Sequence, residues 1–264
     1  MDILKRALAP ISELAWEEIE KQSTVIFTSN LTGRKVVDLS GPHGWDYGSV
    51  STGRLEVPEE QTEAVKYGIK QVQPLIETRI PFKLNLWELD NISKGAKDTD
   101  LGPLEDAAHK IAAFEDKTIF EGLDKACILG LKNNSGLDKL TFPENIDDLL
   151  SVIAKAINQF KHHSIEGPYS LVLCKERWEK ISGYIKGYPL RRHIEELIGG
   201  SIIDAPYLKG ESYLIAERGG DFNLTLGQDL SIGYEGHSAT DVTLYFTESF
   251  TFEIYEPKAV VVIE

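Results

Sequence analysis

The sequence predicts an α+β fold, and three observations predict it. Helix signals, meaning caps followed by apolar stripes at three- and four-residue spacing, concentrate in 10–26 and 103–127. Between them, 52–90 carries long alternating stretches, GRLEV and RIPFKLNLWEL, around the weakly patterned VPEEQTEAVKYGIKQVQ. After a mixed region that starts near Gly136, strand patterns dominate from 201 onward.

Pro10 opens and Ser12 caps a first amphipathic helix whose apolar face is Leu14, Trp16 and Ile19, extended by Val25-Ile26. A loop with Gly33-Arg34 leads to a short strand, KVVDL, and then to GPHGWDYGSVSTG, too rich in glycine and aromatics for a simple linker. The extended arm after it has too little apolar mass to bury itself. It needs a partner surface, within the chain or from another copy. In RIPFKLNLWEL, Ile80, Phe82, Leu84 and Leu86 share one strand face, while Arg79, Lys83, Asn85 and Trp87 share the other. Pro103 then sits at the first position of a helix over 103–127, with Glu105 and Asp106 favouring its N-terminus. Leu104, Ala107, Ala108, Ile111 and Phe114 form its stripe.

Asp147 and Asp148 begin a helix through Leu150, Ile153, Ile157 and Phe160, followed by a strand at SLVLC and a helix around Arg177-Trp178. A glycine-tyrosine loop, GYIKGY, precedes a helix opened by Pro189 and stopped by Gly199-Gly200. SIIDAP, SYLIAE, FNLTL, VTLYFTESFTFEIY and AVVVIE read as strands. The stretch RGGDFNLTLGQDLSIGYE invites a nucleotide-loop reading, but a strand follows Gly219-Gly220 where a phosphate site needs a helix. A hairpin turn feeding a half-buried strand is expected there instead.

The chain has 264 residues with 28 basic against 42 acidic side chains, a formal charge of −14. That balance argues against nucleic acid or an anionic membrane as partner. Cys127 and Cys174 lie in apolar surroundings, so reduced, buried thiols and a cytoplasmic location are expected. The first residues, MDILKRALAPISELAWEEIE, are too charged for a signal peptide, and no segment approaches the ~18 uninterrupted apolar residues of a membrane span.

Catalytic and metal patterns are scarce. The six histidines form no zinc spacing, and the adjacent His162-His163 point apart at a helix end, so no metal site is expected. There is no G-x-S-x-G elbow, and Cys174 sits inside an apolar run, so no catalytic residue is expected. The acidic pairs Glu105-Asp106, Glu115-Asp116 and Asp147-Asp148 each read as the solvated face or first turn of a helix. Trp87 stands beside two cations, out of phase with a core role. Two roles stay open for it: packing against a neighbouring element or subunit, or a stacking platform for a planar anion.

Taken together, DILKRALAP, GRKVVDLSGPHGWDY, PLIETRIPFKLNLWELDN, AFEDKTIFEG, IEGPYSLVL and ERGGDFNLTLGQDLSIGYE span nearly the whole chain. In that order they resemble the encapsulins, nanocompartment shell proteins of the linocin-type bacteriocin family with the tailed-phage major capsid fold. The resemblance implies an N-terminal helix and start of a peripheral domain (1–47), an extended arm (48–90), a peripheral spine helix (91–135), an axial domain (136–220) and a peripheral sheet (221–264). It also implies a non-enzymatic subunit that assembles with itself, in about sixty copies, into an icosahedral shell. Such a shell encloses a ferritin-like or dye-decolourising peroxidase cargo through the cargo's C-terminal targeting peptide.

Carried onto this sequence, the resemblance implies a cargo-peptide groove of Phe27, Leu31, Arg34, Asp38, Asp229, Leu230 and Ile232. Leu230 and Ile232, two apart on a strand, offer an apolar floor, Asp38 and Asp229 flank it, and Phe27 and Leu31 form a wall. It further implies a flavin, FMN or riboflavin, stacked on Trp87 with Arg79 and Lys83 compensating phosphate. The fivefold pore loop would be Gly183, Tyr184, Ile185, Lys186, Gly187 and Tyr188. A hydrolase, protease or bacteriocin of the linocin type and a DNA-packaging capsid protein are the competing readings.

Overall fold

Ser12 Oγ accepts the Ala15 amide (3.2 Å) and starts helix α1 (Glu13–Asn30), as the sequence predicts. The computed structural model describes residues 3–59, 64–186 and 188–264. Ala15, Ile19 and Ile26 carry the buried face of α1, whereas Leu14 and Val25, expected on it, are exposed. Each lies one residue, a rotation of about 100°, from a buried position.

After β1 (Asp38–Ser40), β2 (Ser49–Glu56) and β3 (Ile69–Pro74) form a hairpin that pairs with no other strand among the described residues. β4 (Ile76–Asn85) leaves the arm for the main sheet. Asn85 Oδ1 then accepts the amides of Trp87 (2.9 Å) and Glu88 (3.4 Å), and the chain turns into helix α2 (Leu86–Ser93). The strand expected to run through Trp87 therefore stops at Asn85, and Trp87 does not share a strand face with Arg79 and Lys83. A polar residue that looks like the outer face of a strand is here a helix cap.

The long helix α3 (Gly102–Glu121) begins with Pro103 in its first turn and buries Leu104, Ala107, Ala108 and Ile111. It ends at Gly122 (φ +89°) rather than continuing to Cys127, and the chain closes a small pair, β5 (Gly122–Leu123) with β6 (Ile128–Leu129). Cys127, in the loop between them, is exposed, not buried as expected; Cys174 is buried.

Helix α4 (Leu149–His162), strand β7 (Tyr169–Cys174), helix α5 (Lys175–Ser182) and the short pair β8 (Ile185–Lys186) and β9 (Tyr188–Pro189) come next. Helix α6 (Leu190–Ile198), closed by Gly199 (φ +69°), precedes β10 (Ile202–Ala205) and β11 (Ser212–Ala216). The last strands are β12 (Phe222–Leu226), β13 (Ser231–His237), β14 (Asp241–Ile254) and β15 (Val260–Ile263). Within the predicted pore loop, Gly187 lies outside the described residues.

Two sheets organise the molecule. In one, β7 lies between β10, parallel to it, and β11, antiparallel, with β15 beyond β11. The last strand of the segment expected to form one peripheral sheet (221–264) thus belongs to this sheet. Every residue of β7 is buried, and α4 and α6 contribute Ile153, Ile157, Phe160, Ile194 and Ile198 to the same core. Each large aliphatic side chain so buried stabilises the fold by about 1.5–3 kcal/mol relative to exposure.

The other sheet is built on β14, which pairs with β4 along one edge. Its opposite edge takes β13 (Ile232 opposite Phe246) and then β12 (Leu226 opposite Phe250), both antiparallel. β12 and β13 are therefore one edge interrupted by a bulge at 227–230, opposite Glu248 and Ser249. β1 adds beside β12 in parallel. The turn through Gly219 (φ +79°) and Gly220 (φ +80°) is not the expected hairpin. It carries the chain from β11 in one sheet to β12 in the other, and β12 is largely buried.

Candidate functional site

The bulge at 227–230 and the C-terminal turns of α1 face each other across a groove of about 430 Å³. Phe27, Leu31, Arg34 and Lys35 line it from the helix side, and Asp229 and Leu230 from the bulge. Leu31 caps α1 by donating its amide to the Phe27 carbonyl (3.0 Å), which places the two apolar side chains one turn apart. Phe27 meets Phe246 of β14 edge-on, with ring centres 5.2 Å apart.

Five of the seven residues expected at a peptide groove thus come together. Ile232 does not line it: only 7 % exposed, it sits beneath, in a core with Phe82, Leu244 and Phe246. Asp38 is also elsewhere. Its carboxylate accepts the Gly220 amide (2.5 Å) and lines a separate cavity with Val37, Glu217 and Phe222. Asp38 and Asp229 therefore do not flank one floor.

Beneath the groove lies a charge cluster that the sequence reading missed. Arg34 Nε donates to both Glu115 oxygens (2.9 and 3.0 Å), and Nη2 donates to Glu115 Oε2 (2.6 Å) and to Glu248 Oε1 (2.5 Å). Nη1 donates to Asp229 Oδ1 (2.9 Å). Glu115 and Glu248 are fully buried. Burial opposes the Arg34 charge, but the hydrogen bond and charge of Glu115, with Glu248 and Asp229, hold its pKa above the ordinary value. Burial, then the neighbouring Glu115, push Glu248 well above the usual carboxylate range.

Asp116, next to Glu115, accepts the backbone amides of Gly33 (2.8 Å) and Thr32 (3.1 Å). Its burial pushes its pKa up to about 7, against the pull of those two amides. Glu115-Asp116 is thus not the solvated face expected of it, unlike the exposed Asp106 and Asp147-Asp148. Glu115 falls on the stripe of Leu104, Ala108 and Ile111 at helical spacing, which is the signal that marks it as buried. Glu248 falls two residues from Phe246 and two from Phe250 on the buried face of β14, and that strand phase is the corresponding signal for it.

Trp87, in the first turn of α2, is 76 % exposed. The Arg79 guanidinium instead lies over the Tyr245 ring, 4.2 Å from its centre, and 3.8 Å from Glu77. Lys83 is exposed on β4 opposite Thr243. The three residues do not form one flavin pocket within the chain; an exposed indole is what remains of that site. In the predicted pore loop, Tyr184 hydrogen-bonds Asp147 through its hydroxyl. Among the described residues no group of histidine, cysteine and carboxylate side chains is placed to hold a metal, and no helix is long and apolar enough to cross a membrane.

The model of a family described as encapsulating protein for peroxidase matches residues 1–251. The type 1 encapsulin shell protein of Mycolicibacterium paratuberculosis is 41 % identical over 262 residues, covering 99 % of this chain and 98 % of that protein. Its namesake from Mycobacterium tuberculosis is 40 % identical over 264 residues, covering 100 % and 99 %. Among solved structures, a virus-like particle from Pyrococcus furiosus superposes with a TM-score of 0.67 at 17 % identity, covering 94 % of this chain and 98 % of that one. The capsid of Myoviridae phage XM1 gives 0.59 at 11 %, covering 89 % and 91 %. These two share the fold: mixed helix and sheet in the arrangement of phage capsid proteins.

Proposed function

This chain belongs to the type 1 encapsulin shell family, and from that premise we infer that it is a structural subunit, not an enzyme, which assembles with copies of itself into a closed shell around a cargo enzyme. The observation that carries assembly is the β2–β3 arm. Leu55, Val57, Ile69 and Val72 are each more than half exposed on a hairpin that no other strand of its own chain joins among the described residues. A two-stranded ribbon is marginal alone in water, and apolar exposure on this scale calls for a covering surface. Neighbouring copies supply it when a closed symmetry leaves no arm unpaired.

The finer reading is an icosahedral shell of about sixty copies in the cytoplasm, with residues 183–188 around its fivefold aperture. The cargo, a ferritin-like protein or a dye-decolourising peroxidase, docks by its C-terminal peptide in the groove of Phe27, Leu31, Arg34, Asp229 and Leu230. Two apolar walls and one half-exposed carboxylate, Asp229, suit an apolar tail carrying a basic residue. A fluorescent protein fused to the C-terminal tail of the cargo encoded beside the shell gene tests this by co-expression. Co-purification with shells is expected, and its absence, with the same cargo's full length also excluded, contradicts the reading. A flavin stacked on Trp87 belongs to the same proposal, with any cation for its phosphate supplied from outside the Arg79–Tyr245 contact.

A further inference from the structure

Segment 31–35 forms one wall of the groove, and three buried carboxyl groups hold it. Asp116 takes the backbone amides of Thr32 and Gly33, and Glu115 takes the Arg34 side chain along its whole edge. Glu248 reaches the same guanidinium from β14. The segment has no slack against α3: a Cβ on Gly33 would run into Ile119. Glu248 Oε2 is buried with no hydrogen-bond partner, so a proton on this carboxyl group, shared toward Glu115, is what satisfies the pair.

We propose that Glu115, Asp116 and Glu248 are positioning residues of the groove, a proton-dependent clamp that fixes Leu31 and Arg34 and loosens as the solution becomes alkaline. This rests on reading the groove as the cargo-docking site. Glu115 and Glu248 share one guanidinium, and Asp116 is buried beside Glu115 with the Thr32 and Gly33 amides against it, so the three carboxyl groups cannot all ionise without cost in a desolvated site. Asp229 faces the cluster from the bulge, Lys35 lines the groove with its ammonium turned to the Ser29 carbonyl (2.9 Å), and Thr32 Oγ1 contacts the Asp204 carbonyl of β10 (3.4 Å). Tyr207, whose hydroxyl bonds His109 (2.8 Å), adds a group near Asp116. None of these brings a further cation into contact with Asp116 or Glu248.

The sign is set by linkage. A carboxyl group whose folded pKa is raised favours the closed state below its unfolded pKa and loses that contribution as pH rises through the folded value. For Asp116 that loss runs from the ordinary carboxylate range up to about 7 and is complete above it, and for Glu248 it extends well above its ordinary range.

Amide hydrogen exchange over residues 28–36 of assembled shells, corrected for the intrinsic pH dependence of exchange, reads the clamp directly. Protection of Thr32 and Gly33 is expected to fall about tenfold between pH 6 and pH 8.5 in the wild type. The fall is smaller in Asp116→Asn, and smaller also in Glu248→Gln, whose amide imitates the shared proton. Flat wild-type protection overturns the proposal, as does an unchanged slope in Asp116→Asn. If Asp116→Asn fails to assemble, the wild-type titration and Glu248→Gln still decide. Reporter-tail loading, measured on the same shells, separates the two readings. Exchange that follows pH while loading does not upholds the clamp and counts against the groove as the docking site.

Discussion

Arg34 and Glu115, 81 residues apart, form a buried fork in which Nε and Nη2 both donate to one carboxylate. The pair ties the loop after α1 to the middle of α3, directly beneath the groove. Removing the cation leaves Glu115 and Glu248 buried without a counter-charge. Arg34→Ala is expected to cost about 3–5 kcal/mol, enough to lose most soluble shell protein. Arg34→Lys keeps the charge but not the fork and falls between. Shell yield and thermal unfolding check the order; an Arg34→Ala protein as stable as wild type contradicts it.

Ile232 and Leu230 separate floor from foundation. Ile232 is buried under Phe27 and Phe246, so Ile232→Asp places an unpaired carboxylate in the core, costs several kcal/mol, and is expected to abolish soluble shells. Leu230 lines the groove from the bulge, so Leu230→Asp is expected to leave shells assembled and to lose reporter-tail loading. Loaded Leu230→Asp shells place the docking site elsewhere.

The raised pKa of Asp116, about 7 through burial, makes shell stability depend on pH. Because the folded state holds this proton more tightly than the unfolded chain, stability is expected to decline as pH rises from about 4 through 7 and to flatten above it. Asp116→Asn removes that decline. Unfolding temperatures across this range, compared between the two proteins, read the difference; parallel curves count against it.

Much of the fold is legible locally. The Ser12 cap, Pro103 in the first turn of α3 and Gly199 after α6 each act within one turn of chain, and the structure places them as expected. Three features are not. Asn85 fits equally as the outer face of a strand and as a helix cap, and the fold of residues 86–93 decides between them. Glu115 and Asp116 read as solvated until Arg34 and the amides of 32–33 are brought against them from elsewhere in the sequence. The pairing of β15 with β11 joins strands on either side of the β12–β14 run, which no local pattern encodes. At the groove, α1 spacing brings Phe27 and Leu31 together one turn apart. The period-two rule that joins Leu230 to Ile232 fails because the bulge ends at Leu230.

Trp87→Ala tests the flavin expectation. The exposed indole offers one aromatic face, and losing it is expected to weaken flavin binding by about 1 kcal/mol or more, several-fold in affinity. Visible absorbance of purified shells after incubation with excess FMN or riboflavin reads this. Shells that remain colourless leave Trp87 with a packing role alone.

Assembly is the central claim, and the β2–β3 arm is where it is most exposed to test. Negative-stain electron microscopy of the purified wild-type chain beside one lacking 55–72 measures it most directly. Uniform closed particles are expected from the wild type, and none from the deletion, whose α4–α6 region with its own buried sheet still folds. A wild type that stays monomeric, or closed particles of normal size from the deletion protein, contradicts the account.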